Sequence, residues 1–219
     1  MDLNKPLQTQ LYDNIKRRIL DGELDKDTLH SETKLAKELS VSRTPLRDAL
    51  RYLEQDGYII IVPSRGFRIQ KLDREGLKAS IEIRCTIEGY CVYRVAEQFG
   101  SEEVKALTAG LEDILVKMEF CLRDTSMLEQ FIDYDHAFHS RLIAYVDVKD
   151  FQTEFQKIYF MIRQTSENSL KVEGRIRATY EEHRDILWEI RAGRAVEAYQ
   201  AMLHHLREPL CILESCAQV

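Results

Sequence analysis

Residues 31–54 read SETKLAKELSVSRTPLRDALRYLE, and this stretch decides the fold of the N-terminal part of the chain. Ser31 and Ser42 are residues that helices favour at their N-caps. Pro45 falls in the first turn after Ser42, where its missing N–H costs little. Apolar residues with helical spacing follow both serines: Leu35, Ala36, Leu39, Leu46, Ala49, Leu50 and Leu53. The stretch therefore predicts two short helices joined by a tight turn at residues 40–41.

The segments on either side of this stretch complete a small domain. Residues 7–19 carry one apolar residue in each helical turn, which predicts a preceding amphipathic helix. The β-branched run at 58–62, the turn residues at 63–66 and the run at 67–69 predict a β-hairpin. Three helices followed by a hairpin predict a winged helix-turn-helix, which we assign to residues 1–70.

The rest of the chain is predicted to be helical. A linker is expected at residues 71–76, and residues 77–219 are expected to form an all-α antiparallel bundle. The apolar periodicity predicts six helical segments, at about 74–99, 102–122, 125–146, 149–171, 174–191 and 194–215. The predicted fold class is therefore mainly α, with a winged helix-turn-helix followed by a helical bundle. The interiors of such bundles are common places for metal and ligand sites.

The net charge of −6 is distributed unevenly along the chain. Residues 1–70 contain 12 Lys and Arg against 11 Asp and Glu, whereas residues 71–219 contain 19 against 26. The first domain is therefore close to neutral. Any nucleic-acid binding by this domain depends on a local basic patch that faces the phosphates.

Three sequence features bear on the location of the protein. The longest uninterrupted apolar stretch, residues 58–62, is far shorter than the roughly 20 residues that a membrane span needs. Residues 1–6 lack the pattern of a secretory signal. The five cysteines are odd in number and never spaced as Cys-x-x-Cys, which favours reduced thiols. We expect a cytoplasmic protein that does not enter a membrane.

The predicted third helix has a basic face opposite its leucines. Arg43, Arg47 and Arg51 recur there every four residues, with Thr44 beside them. If the N-terminus of this helix lies in a major groove, the hydroxyls of Ser42 and Thr44 can contact phosphates. Arg43 or Arg47 can then reach O6 and N7 of a guanine. This face is therefore a candidate DNA-reading surface.

Arg65 adds to this candidate surface from the predicted hairpin, because its position at the tip lets it reach the DNA backbone or the minor groove. The alternative is that the arginines form surface ion pairs with Asp48 and Glu54. As a set, the basic residues favour DNA binding.

Four residues of the helical part form a candidate metal site. Asp135 and His139 lie four residues apart, so a carboxylate and an imidazole share one helix face at chelating separation. His183 and His205 lie on two further predicted helices. Each residue alone is more often a surface ion pair or a core histidine. Together, an aspartate and three imidazoles suit Zn²⁺, Ni²⁺ or Mn²⁺ with one coordination position open for a ligand.

Arg84 and Glu88 lie one turn apart on an otherwise apolar helix face. A buried arginine needs an anionic partner. One interpretation of this pair is therefore an internal ion pair between the two side chains.

Residues 31–36 and 41–54 closely resemble the GntR family of bacterial repressors. The resemblance implies operator binding by the winged helix-turn-helix. It assigns operator contacts to these positions: Thr33, Ser42, Arg43, Thr44, Arg47 and the wing-tip Gly66. One difference is Ser40, where the family usually has glycine, and we expect this serine to strain the turn without changing the fold.

Three segments of the helical part resemble the FCD-type effector domain of the FadR subfamily. They are residues 135–139 (DHAFH), His183 and residues 198–206 (AYQAMLHHL). In the metal-binding members, an aspartate, the histidine four residues later and two distant histidines hold the metal. The resemblance therefore implies these ligands: Asp135, His139, His183 and His205. The family spacing selects His205 over its neighbour His204.

The same resemblance implies an effector. The subfamily binds small organic acids or related metabolites beside the metal, so Arg84 and Glu88 are candidate effector-binding residues, with Arg84 holding a carboxylate. A second difference from the family lies at residues 146–149 (VDVK), where a Gly-Asn turn is common. We expect this difference to affect the loop and not the metal ligands.

We interpret the protein as a DNA-binding transcriptional regulator, either a repressor or an activator. It is expected to bind an inverted repeat of double-stranded operator DNA as a homodimer and to respond to a small organic acid. One alternative is a metal-dependent hydrolase or oxygenase with an accessory DNA-binding head. The sequence contains no GxSxG, P-loop or dinucleotide motif that would support an enzyme. Another alternative is a regulator whose metal is purely structural.

Overall fold

The computed structural model of the protein describes residues 6–20, 22–70 and 74–216. The chain divides into two compact units, Met1–Leu72 and Asp73–Val219. The first unit contains three helices and two strands: α1 (Leu7–Leu20), α2 (Glu32–Glu38), α3 (Arg43–Gln55), β1 (Ile59–Val62) and β2 (Gly66–Ile69). The strands pair in antiparallel register, with Ile59 opposite Ile69 and Val62 opposite Gly66. The winged helix-turn-helix prediction is confirmed.

The leucine pattern of α3 forms the core of this unit, as the spacing predicts. The apolar residues with helical spacing on α1 and α3 are buried: Leu11, Ile15, Ile19, Leu46, Ala49, Leu50 and Leu53. Ser31 caps α2, because its hydroxyl accepts a hydrogen bond from the backbone N–H of Lys34 at 3.4 Å. Ser42 occupies the N-cap of α3 without such a bond, so its hydroxyl stays exposed at the start of the predicted recognition helix.

The wing is attached to the segment before α2 by a backbone bridge. His30 N–H donates to Phe67 O at 2.7 Å, and Phe67 N–H donates to His30 O at 3.0 Å. This approach requires Gly66, whose φ is +130° and where a Cβ would lie only 2.0 Å from His30 O.

In the part of the second unit that the structure describes, helices are joined by short turns. The unit contains α4 (Arg74–Glu97), α5 (Glu102–Cys121), α6 (Leu128–Val146), α7 (Lys149–Leu170), α8 (Arg175–Arg191) and α9 (Ala195–Cys216), with a 3₁₀ turn at Thr125–Met127 before α6. The mainly α fold class is confirmed. Of the linker predicted at 71–76, residues 71–73 lie outside the described residues, and residues 74–76 are already helical.

Helix α4 lies at the centre of this bundle, in contact with α6, α7, α8 and α9. Its buried residues form one broad face that includes the charged residues Arg84 and Glu88, and an exposed stripe runs along the opposite side of the helix. The two charged side chains must therefore find their partners inside the bundle.

Both departures from the family's turn patterns occur where the backbone is left-handed. Ser40 and Asp147 each have φ of +55°, a conformation that glycine and asparagine adopt more easily than other residues. Asp147 is the C-cap residue of α6. The strain expected at Ser40 is therefore explained by its left-handed backbone. Asp147, in the segment at residues 146–149 that differs from the family, adopts the same conformation.

Two further findings concern the cysteines and the polarity of the helices. Cys85, Cys91 and Cys121 are buried free thiols, and burial raises the pKa of Cys91 to about 12. Among the described residues, every helix is too short or too polar to cross a lipid bilayer.

Candidate metal centre and nucleic-acid interface

Four polar side chains converge inside the bundle. We call them the Asp–His cluster: Asp135 and His139 from α6, His183 from α8 and His205 from α9. One ligand atom of each lies within 4.8 Å of all the others. The three histidines are buried, with side-chain exposure of 6% or less. The structure thus brings together all four residues that the sequence analysis proposes as metal ligands.

The same nitrogen of each imidazole points to the centre of the cluster. His139 Nε2 lies 3.1 Å from His205 Nε2 and 3.2 Å from His183 Nε2. Asp135 Oδ1 lies 3.4 Å from His183 Nε2 and 4.0 Å from His139 Nε2. Four candidate donor atoms therefore surround one point.

The other nitrogen of each imidazole faces an oxygen outside the centre. His139 Nδ1 lies 2.5 Å from Glu88 Oε2, and His205 Nδ1 lies 2.7 Å from Glu182 Oε2. His183 Nδ1 lies 2.7 Å from the backbone oxygen of Thr179. The oxygens of Thr179 and Glu182 accept hydrogen bonds, so they place the hydrogens of His183 and His205 on Nδ1 and leave these Nε2 lone pairs pointing inward. The contact of His139 Nδ1 with Glu88 is close but lacks hydrogen-bond geometry.

This arrangement fits a cation. Burial lowers the pKa of His183 to about 4 and holds the pKa of His139 well below its usual range, so both rings are neutral near pH 7. Burial alone would raise the pKa of Asp135, but charges that include the Arg84 guanidinium outweigh burial and lower it. Converging lone pairs and a carboxylate repel each other unless a positive ion lies between them. The donor set is therefore chemically suited to a metal.

Two of the outer oxygens belong to carboxylates that pair with buried arginines. Arg84 Nε donates to Glu88 Oε1 at 2.5 Å. Arg175 Nη2 donates to Glu182 Oε2 at 2.8 Å, and its Nη1 donates to the other carboxylate oxygen. The bonds to His205 and Arg175 outweigh the burial of Glu182 and lower its pKa to about 2. His139 and His205 are thus each held by an arginine–carboxylate pair.

The outer pair Arg175–Glu182 escaped the sequence analysis, as did the role of the Thr179 carbonyl. Arg175 and Glu182 are seven residues apart, which places them on one face of α8 and is a usable signal. His204 is 65% exposed and lies 3.5 Å from Glu208 Oε1, away from the cluster that contains His205. Arg84 and Glu88 form the internal ion pair, and Glu88 also contacts His139.

The predicted DNA contacts in the first unit are mostly exposed. We call six of them the DNA-reading surface: Thr33, Ser42, Arg43, Thr44, Arg47 and Arg65. Gly66, the seventh predicted contact, is buried against His30. Arg47 and Arg43 pair with Glu32, and not with Asp48 or Glu54 as the alternative interpretation had it. Glu32 Oε2 lies 2.8 Å from Arg47 Nε and 4.0 Å from Arg43 Nη2. Glu54 instead accepts a hydrogen bond from the backbone N–H of Ile61.

Comparison with known proteins covers both units. Residues 7–69 match the family described as bacterial regulatory proteins, gntR family, and residues 79–208 match the FCD domain. The HTH-type transcriptional regulator YdhC of Bacillus subtilis strain 168 is 26% identical over 205 residues, which are 94% of this chain and 90% of that protein. The HTH-type transcriptional repressor RspR of Escherichia coli K12 is 26% identical over 217 residues, with 98% and 91% covered.

The fold is also found among solved structures. McbR/YncC of Escherichia coli has a TM-score of 0.76 at 18% identity, with 97% of this chain and 99% of that chain covered. The curated relatives are transcriptional regulators and repressors, not enzymes. This chain therefore belongs to the GntR family of bacterial regulatory proteins and carries an FCD domain, which makes it a DNA-binding transcriptional regulator.

Proposed function

We propose that this regulator binds a divalent transition metal at the Asp–His cluster, and that a small organic acid bound beside the metal controls its affinity for operator DNA. The observation that carries the proposal is the inward convergence of three imidazoles and one carboxylate in a buried site. Zn²⁺, Ni²⁺ and Mn²⁺ accept such a mixed set of ligands. The acceptors on Nδ1 of His183 and His205 hold these two rings in the ligating orientation, and Glu88 lies beside Nδ1 of His139.

The charges around the cluster favour an anion as the effector. Three carboxylates, those of Asp135, Glu88 and Glu182, exceed the two guanidinium groups of Arg84 and Arg175 by one negative charge. A divalent ion makes the group net positive, and when bound it supplies an open Lewis-acid position for an oxygen. Arg84 donates hydrogen bonds from Nε and Nη2 to Glu88. We propose that its Nη1 donates to the carboxylate of the organic acid.

We further propose that the protein acts as a homodimer on an inverted repeat. One winged helix-turn-helix contacts few base pairs, whereas two that are related by a twofold axis contact two half-sites. An effector that binds more tightly to one arrangement of the two heads changes the affinity for the operator.

A thermal-shift titration against small mono- and dicarboxylic acids tests the proposal. The wild-type protein and Arg84→Lys are compared with each metal present and after chelation. One acid is expected to raise the melting temperature of the metal-loaded wild type and to have no effect after chelation. Arg84→Lys keeps a positive charge for Glu88 but loses the planar fork, so it should respond to metal and lose most of the response to the acid.

Each other outcome selects a different role for the cluster. A metal-dependent shift with no response to any acid would indicate a structural metal. No response to any metal would contradict the proposed metal centre and would not bear on the DNA-binding function. Steady turnover of an acid by the loaded protein would support the enzyme alternative.

A further inference from the structure

A mostly buried glutamate joins the two helices of the DNA-reading unit. Glu32 is the first residue of α2, and its Oε2 lies 2.8 Å from Nε of Arg47 and 4.0 Å from Nη2 of Arg43 on α3. The side chain of Glu32 is 15% exposed, whereas those of Arg47 and Arg43 are 53% and 55% exposed. A mostly buried carboxylate therefore contacts Nε of an exposed guanidinium group.

Two ordinary roles of a surface glutamate do not account for this contact. A carboxylate in the first turn of α2 stabilises the helix dipole, but it does so without reaching Arg47. A half-exposed ion pair adds little to folding stability. A negative charge beside a DNA-binding helix also opposes the phosphates and so lowers affinity. A contribution to sequence specificity explains why the carboxylate is nevertheless placed here.

The donor that Glu32 occupies is the important detail. Its contact uses the Nε–H of Arg47, and the guanidinium group has four further N–H donors on its two Nη atoms. A bidentate contact with O6 and N7 of guanine needs two donors in a fixed plane. Anchoring Nε fixes this plane and leaves the Nη edge available. Without the anchor, the flexible side chain can turn to a phosphate, a contact that carries no sequence information.

We propose that Glu32 is a positioning residue for sequence readout, which orients Arg47, and to a lesser degree Arg43, toward the base edges. The inference goes beyond the metal and effector proposal. It uses only the DNA binding that the family establishes, so it stands whether or not the cluster holds a metal.

Glu32→Asp isolates this role, because it keeps the charge and the helix-dipole contribution but is too short by one methylene to reach Arg47. The full-length protein first selects a preferred duplex from a random pool. Affinities are then measured for that duplex and for a scrambled duplex of equal length and composition. Glu32→Asp is expected to lower the ratio of the two affinities by about tenfold, with little change for the scrambled duplex because the charge is conserved.

Glu38→Asp is the matched control. Glu38 lies on the same helix and forms a similar pair, 2.8 Å from Arg18 Nη2, which is not part of the DNA-reading surface. Shortening Glu38 should leave the affinity ratio unchanged.

A double-mutant cycle with Arg47→Ala decides whether Glu32 acts through this arginine. In the Arg47→Ala background, Glu32→Asp should have almost no further effect on the ratio. The proposal is overturned if Glu32→Asp leaves the ratio unchanged in the wild type, or if it causes the same loss in the Arg47→Ala background. A folding defect would also persist in that background, so the cycle separates it from positioning.

Discussion

Arg47 and Arg84 both pair with a glutamate, but in very different surroundings. The Arg47 side chain is 53% exposed and its partner Glu32 belongs to another helix, whereas Arg84 is 8% exposed and its partner Glu88 lies one turn away on α4. Water screens the first pair, and Glu32 occupies only Nε of Arg47, so the Nη atoms of Arg47 remain available to DNA. Arg84 cannot be left unpaired, because a buried charge without a partner is strongly unfavourable.

The comparison suggests how each region works. The DNA-reading surface presents exposed side chains to a macromolecular partner, while the Asp–His cluster is buried and has outer contacts on each imidazole. Substitutions in the cluster should therefore change stability and metal binding, and substitutions on the surface should change DNA affinity without unfolding the protein.

The largest expected effect is the loss of metal-dependent stability in His139→Ala. At a thousandfold excess of free metal over its Kd, binding stabilises a protein by about 4 kcal/mol. His139→Ala should lose most of that gain, measured as the difference in melting temperature between metal-loaded and chelated protein. His204→Ala is the control, because His204 is 65% exposed and outside the cluster. Equal metal-dependent shifts in the two variants would contradict the assignment of the ligands.

A second prediction concerns the chelated protein at low pH. The pKa of His183 is about 4 in the folded state and near 6.5 when the ring is free, so the unfolded state binds more protons between these values. Stability from this group is fully present above pH 6.5 and is lost as the pH falls toward 4, by up to about 3 kcal/mol.

Melting temperatures in chelator at pH 7.5, 6.5 and 5.5 test this prediction. The decline at low pH should be shallower in His183→Gln than in the wild type, because glutamine does not take up a proton. His204→Gln, at an exposed position, should follow the wild type. An unchanged slope in His183→Gln would show that the buried ring is not the cause.

A smaller effect is expected from the outer contacts of the cluster. Glu182→Gln removes the charged acceptor of His205 and the partner of Arg175, and should weaken metal binding about 10- to 100-fold. Competition with a chelator of known affinity measures the change. Glu181→Gln, which alters an exposed neighbour on the same helix, should have no effect. The same loss in both variants would mean that net charge, and not the contact with His205, is responsible.

The smallest effect is expected at the wing. Arg65 is exposed at the turn between β1 and β2, so Arg65→Ala should leave the melting temperature unchanged. If its guanidinium contacts one phosphate, the slope of log affinity against log salt concentration should fall in magnitude by about 0.9. Mobility-shift titrations at several salt concentrations measure this slope. A changed melting temperature with an unchanged slope would place Arg65 in the fold and not in the interface.

The parts of the structure that were predictable from sequence depend on local spacing. The buried leucines of α3 and the pair Asp135–His139 follow from helical periodicity, because residues four apart share a face. That His183 and His205 meet them required the family resemblance, since the rotation of one helix against another cannot be read from spacing alone.

Contacts between helices account for two of the missed partners. Arg47 had an adjacent acidic residue in sequence, Asp48, but its partner is Glu32 on another helix. Similarly, His205 is held by Glu182 of a neighbouring helix. Such partners depend on crossing geometry and side-chain rotamers, neither of which a periodic pattern specifies.

The outward Nδ1 contacts also have a consequence for proton stoichiometry. Because the rings of His139 and His183 are already neutral near pH 7, a metal that occupies the cluster displaces no protons from them. Calorimetric heats of metal binding near pH 7 should then contain no buffer-ionisation contribution from these two rings when phosphate and Tris, two buffers with very different ionisation enthalpies, are compared. Two of the three imidazole ligands would thus be ready for the metal at neutral pH, and small fluctuations in acidity would leave these two rings unchanged.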